Sequence, residues 1–276
     1  MALNLDIIGK QFVGTPFSYN EDDVILYALG IGAGIGELDF VYEKNLIVYP
    51  SFSIPMEDII LPMYKEAGIT LAPLQGENKI IRHRFFPPSG TVCPRLTINS
   101  VYDKGDMGAV LNFGAEISDD RGRLLVEYKF AIIDRNAGNF GGDKGPKAAK
   151  ILPPAGNEPD FRKIYTTSTN QAALFRLTGD KNPIHIDPQI ARNAGFERPI
   201  LHGMCTFGFA VRAIINSICA GDPNRFKSFS ARFMNVVYPG DTLITEGWRN
   251  GEGTYIVQVK TQEEKIVLGN SIVEII

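Results

Sequence analysis

The amino-acid sequence predicts an α+β fold in which antiparallel sheet wraps around a central helix in each of two halves. Strand-like runs separated by turn signals occupy residues 79–134, and four more lie between residues 227 and 275. Residues 203–219 form a helical stretch that is apolar almost all round, and such a helix must be buried. Wrapping curved antiparallel sheet around this helix is the simplest way to bury it. This is a hot-dog arrangement, and the order of the elements predicts a double hot-dog.

The predicted organisation has three segments. We predict an N-terminal hot-dog unit at residues 1–135, a linker at residues 136–160 and a C-terminal hot-dog unit at residues 161–276. The linker is rich in Gly, Pro, Asn and Lys and has no hydrophobic period, which is typical of connecting segments. The duplication rests on element order, because the sequence shows no strict repeat.

The N-terminal half begins with a predicted helix at Glu21–Leu29. Asn20 is its expected N-cap, and the acidic residues of its first turn suit the helix dipole. The run GIGAGIGE, at residues 30–37, offers no GxGxxG register and is interpreted as the end of this helix and a loop. Strands are predicted at KIIRHRFF, TVCPRLTINSVYD, MGAVLNFGAEISD and LLVEYKFAIID, with PPSG, KGD and DRGR as the turns.

The C-terminal half is predicted to place helices before strands. Thr169 is the expected cap of a first short helix. Asp187 is expected to cap a second, with Pro188 at its first position and Gly195 just past its end. The long apolar helix follows, and then four strands with the sequences KSFSARF, TLITEGWR, TYIVQVKT and KIVLGNSIVEI.

Composition excludes several classes of protein. The net charge of −3 argues against nucleic-acid binding through bulk charge, although local basic clusters could still hold an anionic ligand. Three widely spaced cysteines argue against a disulfide framework, fit a reducing compartment, and contain no CxxC pair for zinc. The longest apolar segment is interrupted by polar residues and is too short to span a membrane. We also expect no secretory signal and no peroxisomal SKL-type address.

The stretch from Phe175 to Gly203 carries the candidate chemistry, because it holds two of the three histidines in the chain. Asn182-Pro183 forces a turn between Asp180 and His185, since the residue before a proline is pushed away from helix. Such a turn can present a carboxylate and an imidazole to one point, where they can hold a water and move protons. Asn182 could orient that water or His185.

A second interpretation of this turn stays open from spacing alone. Asp180 and Asn182 could simply cap a turn, as Asp and Asn commonly do. His185 could then pair with Asp187 on the surface.

Two interpretations also stay open for Gly203, which opens the long apolar helix. Its free N–H and the positive end of the helix dipole could stabilise an oxyanion. Alternatively, glycine could serve only close packing where the helix begins. His202, directly before it, is predicted to be a buried, hydrogen-bonded structural residue.

Two motifs in this stretch resemble those of the type-2 enoyl-CoA hydratases, the MaoC-like group. They are LTGDKNPIH, continued by IDP, at residues 177–188, and RPILHGMCTFGF at residues 198–209. Further segments resemble the hydratase unit of peroxisomal multifunctional enzyme type 2, so the resemblance covers nearly the whole chain: DDVILYALGIGAG, GGDKGP, TSTNQAALFRLTGD, RFKSFSARF and VYPGDTL.

The resemblance implies a double hot-dog fold and a hydro-lyase activity, the reversible hydration of trans-2-enoyl-CoA to (R)-3-hydroxyacyl-CoA. It implies that Asp180 and His185 form the catalytic pair, that Asn182 assists, and that Gly203 donates its N–H to the thioester oxygen. It further implies that the step needs no metal or redox cofactor.

The resemblance also implies a set of substrate contacts, for which CoA would lie between the halves. They are Gln75, Gly76, Lys104, Lys181, Pro183, Ile184 and Phe233. Gln75 departs from the histidine that the family commonly has there. The N-terminal half lacks an Asp-x-Asn-Pro-x-His sequence, so we expect it to shape the acyl pocket, for medium or long chains, without an active site of its own.

Other functions remain to be distinguished from hydration of enoyl-CoA. One is a dehydratase acting on an acyl carrier protein or on branched or dicarboxylic acyl-CoA, and another is a non-catalytic acyl-CoA binding module. A hot-dog thioesterase fits the motif less well. We expect an acyl-CoA substrate, no nucleic-acid or membrane partner, and either a homodimer or fused partner domains. The cytoplasm is the expected compartment, or the peroxisome if the chain is part of a larger enzyme.

Overall fold

The computed structural model describes residues 3–69, 73–147 and 150–276. The helices are α1 (Glu21–Gly30), α2 (Leu38–Val41), α3 (Glu57–Ala67), α4 (Gln171–Phe175), α5 (Pro188–Asn193) and α6 (Gly203–Ser217). The strands of the N-terminal half are β1 (Gln11–Val13), β2 (Phe17–Tyr19), β3 (Leu74–Arg82), β4 (Gly90–Asp103), β5 (Ala109–Asp119) and β6 (Leu124–Asp134). Those of the C-terminal half are β7 (Phe161–Thr166), β8 (Phe226–Phe233), β9 (Thr242–Arg249), β10 (Thr254–Thr261) and β11 (Ile266–Ile275).

All eleven strands found in the described residues belong to one antiparallel sheet. Its order is β1-β4-β5-β6-β3-β8-β11-β10-β9-β7, with β2 paired to β4. The two halves of this order mirror each other: β4-β5-β6-β3 on one side corresponds to β9-β10-β11-β8 on the other. The centre is the β3–β8 pair, in which Lys79 lies opposite Ser230. The sheet therefore has an internal two-fold relation between the halves.

The core lies between the sheet and its helices. Every residue of α6 from Cys205 to Ile215 is buried, which satisfies the expectation for a helix that is apolar all round. Strand β5 alternates fully buried and half-exposed residues with a period of two, so one of its faces covers the core. The predicted double hot-dog is confirmed.

The first predicted helix and its cap are confirmed in detail. The Asn20 side chain accepts the N–H of Asp23, and the Asp23 carboxylate accepts the N–H of Asn20, which is a complete capping box. Helix α1 ends at Gly30, and Gly32 follows with a φ of 79°, as the interpretation of GIGAGIGE as a helix end and loop requires.

Two local predictions were wrong. Thr169 does not cap α4: the N-cap is Asn170, whose N–H is accepted by the Ser168 hydroxyl at 3.1 Å. The strand expected at KIIRHRFF begins earlier and ends earlier, as β3. It ends at Arg82 because the N–H groups of the next two residues both donate to the carbonyl of Leu125, which replaces the ladder by a turn.

Helix α3, which carries Pro62 in its interior, was not predicted from the sequence. Proline removes a backbone donor and usually ends a helix, so a stretch such as IILPMYKEA is a poor helix candidate by local rules. Burial of Ile59, Met63 and Ala67 on one face stabilises the helix in spite of the proline.

The segment at residues 136–160 contains no helix or strand where it is described. Its first residues are hydrogen-bonded to the carboxylate of Asp103. That carboxylate accepts the N–H groups of Asn139 at 2.9 Å and Gly141 at 2.7 Å. The division into units at residues 1–135 and 161–276 stays a prediction, although the sheet runs without a break from β3 into β8. No helix in the described part of the chain is both long and apolar enough to cross a bilayer.

Candidate active site

The candidate site is built on the loop that follows α4. A 3₁₀ turn at Arg176–Thr178 leads into Gly179, whose φ of 139° suits glycine alone. The Asp180 carboxylate then accepts the N–H of Asn182 at 3.0 Å, and the Asn182 side chain accepts the N–H of Ile184 at 3.1 Å. These two local hydrogen bonds fold the chain back so that His185 returns toward Asp180.

Asp180 and His185 face each other across a short gap. His185 Nε2 lies 3.9 Å from Asp180 Oδ2, too far for a direct hydrogen bond. The separation allows one water to be bonded to both atoms at about 2.8 Å each. The imidazole is buried, whereas the Asp180 side chain is 50% exposed, so solvent reaches the pair from the carboxylate side.

The tautomer of His185 follows from its other nitrogen. His185 Nδ1 lies 2.9 Å from the carbonyl oxygen of Ile200, which can only accept, so Nδ1 carries the proton. In the neutral ring, Nε2 therefore presents a lone pair toward Asp180. Burial lowers the pKa of His185 below its usual value, against the opposing charge of Asp180, and keeps the ring neutral at pH 7.

The surface pairing of His185 with Asp187, which the sequence left open, does not occur. The Asp187 carboxylate instead accepts the N–H groups of Gln189 and Ile190 and caps α5, as predicted. The capping role of Asn182 is present, because its amide oxygen is bonded to Ile184. Its amide NH₂ is the group left to reach a water or a substrate.

His202 contacts both Asp180 and His185. Its Nε2 lies 3.2 Å from the backbone carbonyl oxygen of Asp180, and its ring stacks on that of His185 with centroids 3.7 Å apart. Burial, together with the neighbouring His185, lowers the pKa of His202 to about 4. Its Nδ1 is buried and has no hydrogen-bond partner among the described residues. The predicted buried and hydrogen-bonded position of His202 is what the structure shows.

Gly203 is the first residue of α6 and directly follows His202, whose ring stacks on that of His185. As a first helical residue it has an N–H without an intrahelical acceptor. A Cβ at this position would lie 2.5 Å from Gln75 Oε1 and 3.2 Å from Phe233 Cε1. Gln75, Phe233 and Gly203, all predicted to touch the substrate, are therefore brought together at one point, from three separate elements.

The other predicted substrate contacts lie around this point at different distances. Gly76 forms a bulge in β3, where a Cβ would approach the carbonyl oxygen of Ala131. Lys104 lies at the same end of the sheet but three strands from Gln75, about 14 Å away at the usual strand spacing. Its Nζ donates to the carbonyl of Lys144. The remaining three, Lys181, Pro183 and Ile184, lie on the Asp180–His185 loop, the first two exposed and the third half-buried.

The N-terminal half contributes residues to this site that sequence reasoning missed. Pro55 lies against Gly179, at 3.2 Å from its would-be Cβ. On α3, burial raises the pKa of Glu57, and burial raises the pKa of Tyr64 to about 12, with the charge of Asp180 adding to both shifts. No local signal marked these residues, because their place in the site depends on how the two halves pack.

Three donor atoms of the site also lie close enough to share a cation. The ligand atoms of Asp180, His185 and His202 are within 4.8 Å of one another. Carboxylate and imidazole are ligands for Zn²⁺. His202 offers only its unpartnered Nδ1 for this purpose, since its Nε2 is bonded to the carbonyl of Asp180.

Comparison with known proteins matches both halves of the chain to one family. Residues 150–271 match the family model described as MaoC like domain, and residues 17–136 match the one described as MFE-2 hydratase 2 N-terminal domain. A relative named probable enoyl-CoA hydratase 2, from Dictyostelium discoideum, is 37% identical over 90% of this chain and 88% of its own length.

Two further proteins agree over most of the chain. The peroxisomal multifunctional enzyme type 2 of Drosophila melanogaster is 37% identical over 97% of this chain, but the chain spans only 47% of that enzyme. A solved structure, described as a MaoC-like dehydratase from Phytophthora capsici, superimposes with a TM-score of 0.85 at 30% identity, covering 99% of both chains. The resemblance seen in the sequence is thereby confirmed, and the chain belongs to the MaoC-like family of type-2 enoyl-CoA hydratases.

Proposed function

We propose that this site hydrates trans-2-enoyl-CoA reversibly to (R)-3-hydroxyacyl-CoA, which makes the chain a hydro-lyase. One observation carries the proposal: the lone pair of His185 Nε2 and Oδ2 of Asp180 converge at 3.9 Å, and the stacked neighbour of His185, His202, directly precedes Gly203 at the start of α6. A proton-transfer pair and an oxyanion donor are the two parts that addition of water to an enoyl thioester requires.

The proposed reaction begins with the thioester carbonyl oxygen accepting the N–H of Gly203 at the positive end of α6. This interaction stabilises the negative charge that develops on the oxygen as the β carbon is attacked. Oδ2 of Asp180 accepts one hydrogen of the water and orients it. His185 Nε2 takes the other proton as the water oxygen bonds to the β carbon, and the α carbon receives a proton from the pair. The elements of one water are added, and no electron is transferred.

His202 acts in this proposal as a positioning residue. Its hydrogen bond fixes the backbone of Asp180, and its ring fixes the plane of His185 by stacking. A second cation beside His185 would oppose its protonation during the reaction. The low pKa of His202, which keeps this ring neutral, removes that obstacle.

The N-terminal half is proposed to shape the acyl pocket, because Pro55 lies 3.2 Å from the would-be Cβ of Gly179 and the charge of Asp180 acts on the pKa of Glu57 and of Tyr64. Medium or long acyl chains are the expected substrates. A dehydratase acting on an acyl carrier protein, or on branched or dicarboxylic acyl-CoA, would use the same pair of side chains. The carrier and the acyl group therefore have to be distinguished by assay.

The proposed reaction needs no metal or redox cofactor, since proton transfer and carbonyl polarisation are supplied by the protein. We propose the cytoplasm as the compartment for the chain by itself, and the peroxisome if it is part of a larger enzyme. The Drosophila relative is such a larger protein. Fused partner domains are proposed on the same ground, and a homodimer is the alternative.

The test follows loss of the enoyl thioester absorbance with crotonyl-CoA and decenoyl-CoA, coupled to an (R)-specific 3-hydroxyacyl-CoA dehydrogenase. Asp180→Asn and His185→Gln should each lower kcat by roughly 10²-fold or more while the substrate still binds. Asp187→Asn is the matched control, because this carboxylate lies two residues from His185 but caps α5. Wild-type turnover in either of the first two variants would contradict the proposal. Release of free CoA would indicate a thioesterase instead.

A further inference from the structure

The internal two-fold relation of the sheet defines a second place in the molecule that corresponds to the active site. The active site lies where β3 begins, with Gln75, and where β8 ends, with Phe233. The two-fold relation exchanges β3 with β8. The start of β8, at Phe226, therefore corresponds to the start of β3, and the end of β3, at Arg82, corresponds to the end of β8. Seven residues of extended strand, roughly 23 Å, separate Gln75 from Arg82. The second place is therefore well removed from the first.

The interior of this second place is filled, and the described residues there include no counterpart of the Asp180–His185 pair. The loop after α1, which corresponds in order to the loop after α4, carries Glu37. That carboxylate accepts hydrogen bonds from the Arg212 guanidinium, with Nε 2.9 Å from Oε2, and from the hydroxyl of Tyr49 at 3.2 Å. Nearby, Phe52 is buried against Tyr19 and Phe86, with ring centroids 5.1 Å and 5.5 Å away. A paired carboxylate and packed rings replace the water site and the acyl channel.

The mouth of this second place remains open as a cleft of about 790 Å³. Its lining is strongly basic for a chain whose net charge is −3: it includes Arg82, His83, Arg84, Arg121 and Arg123. A cleft of this volume is within the usual range for binding a small molecule.

Some of these basic groups have acidic partners. Arg123 pairs with Asp119 at 2.7 Å, His83 Nε2 lies 3.5 Å from Glu127 Oε2, and Asp120 also lines the cleft. Arg82 donates to two backbone carbonyls, which fixes its position, and it forms no ion pair with a carboxylate of the described residues. Arg84 and Arg121 are exposed, and neither forms an ion pair with a carboxylate of the described residues. Two exposed guanidinium groups and one anchored group thus line the same opening.

An aromatic surface accompanies the charges. The Arg82 guanidinium lies 4.3 Å from the centroid of the Phe85 ring, which is 39% exposed. The β9–β10 hairpin, which corresponds to the hairpin carrying Lys104, adds Arg249 and Tyr255 in a second cleft at the start of β8. Guanidinium groups bind phosphate through paired hydrogen bonds, and exposed aromatic or guanidinium planes stack on a purine base.

We propose that this cleft is a second, non-catalytic site that binds the nucleotide end of CoA by its phosphates and base. The choice of CoA rests on the proposed function, because the corresponding mouth in the catalytic half is where CoA would enter. The buried rings of Tyr19, Phe52 and Phe86 leave no space for the acyl end of the ligand. Only the nucleotide end of CoA can bind, so no turnover occurs here.

The test measures how many equivalents of CoA the full chain binds, by equilibrium dialysis, and the affinity for adenosine 3′,5′-bisphosphate. Wild type should bind two equivalents of CoA per chain. In Arg84→Glu/Arg121→Glu, one equivalent should weaken by about tenfold or more, while kcat and KM for decenoyl-CoA stay as in wild type. Lys44→Glu/Lys265→Glu, which reverses two exposed charges elsewhere, should keep both equivalents.

Several results would overturn this inference. They are a single equivalent in wild type, two unchanged equivalents in the cleft variant, or inorganic phosphate that binds the cleft as tightly as the bisphosphate. The last result would mean a simple anion site with no preference for a nucleotide. Asp180→Asn separates this inference from the proposed function: it should lower kcat by roughly 10²-fold or more and keep both equivalents of bound CoA. Turnover retained in that variant would refute the hydratase assignment, whereas the binding count reports on the cleft.

Discussion

Replacing Gly203 by alanine distinguishes an oxyanion donor from a glycine that serves packing. The new Cβ would lie 2.5 Å from Gln75 Oε1 and 3.2 Å from Phe233 Cε1. The first contact is with the end of a flexible side chain that can move away, so the free energy of unfolding should fall by about 1 kcal/mol or less. The contact with Phe233 narrows the space through which a thioester carbonyl must approach the N–H of residue 203. Loss of one oxyanion donor lowers kcat by about 10²–10³, or about 3–4 kcal/mol.

We therefore expect Gly203→Ala to remain folded, with kcat/KM for decenoyl-CoA lowered by about 10²-fold. The double variant Gln75→Ala/Gly203→Ala is the decisive control, because it removes the clash with Gln75 and leaves the methyl group beside the N–H. If Gly203 serves only packing, the double variant recovers the activity of Gln75→Ala by itself. Such recovery, in the enoyl absorbance assay, would refute the oxyanion role.

Three further predictions concern the support of the site and the interior of the other half. His202→Phe should keep the stacked ring but lose the hydrogen bond to the backbone carbonyl of Asp180, and should lower kcat about tenfold with little change in KM. His202→Gln, which restores a donor, should recover part of this loss of kcat. Because the pKa of His185 is lowered and its neutral form is the base, activity should be lost as pH falls through that pKa, so the acid limb of kcat/KM should lie below pH 6.5. An acid limb above that value would contradict the assignment of His185 as a neutral base. Glu37→Gln should leave the buried Arg212 unpaired and lower the free energy of unfolding by about 3 kcal/mol in a urea titration, against little change for the same substitution at the exposed Glu43.

The sequence was sufficient wherever a local pattern decides the structure. Apolar residues all round the helix from Gly203 predicted its burial, and the bounds predicted for the four C-terminal strands are correct to within a residue or two. The turn between Asp180 and His185 could also be predicted, because the residue before Pro183 is pushed away from helical backbone angles. Their catalytic roles stay predictions that the variants above test.

What the sequence could not predict depends on contacts between distant segments. Helix α3 forms around Pro62 because one face is buried, and no local rule anticipates that burial. Arg212 interrupted the apolar helix and was interpreted only as an argument against a membrane span. Its partner Glu37 lies 175 residues earlier in the chain, so the pair becomes visible only when the halves are packed together.

The two halves use a carboxylate at corresponding places in opposite ways. Asp180 is 50% exposed and faces the lone pair of His185, so its charge is free to orient a water. Glu37 is 15% exposed at its side chain and bound to Arg212 and Asn216; burial would raise its pKa, but these partners lower it. An ion pair of this kind is costly to break, because either partner left alone would be a buried charge. The proposed proton transfer in one half and the attachment of the halves in the other thus follow from the group that the carboxylate meets: a neutral imidazole in the first, a guanidinium in the second.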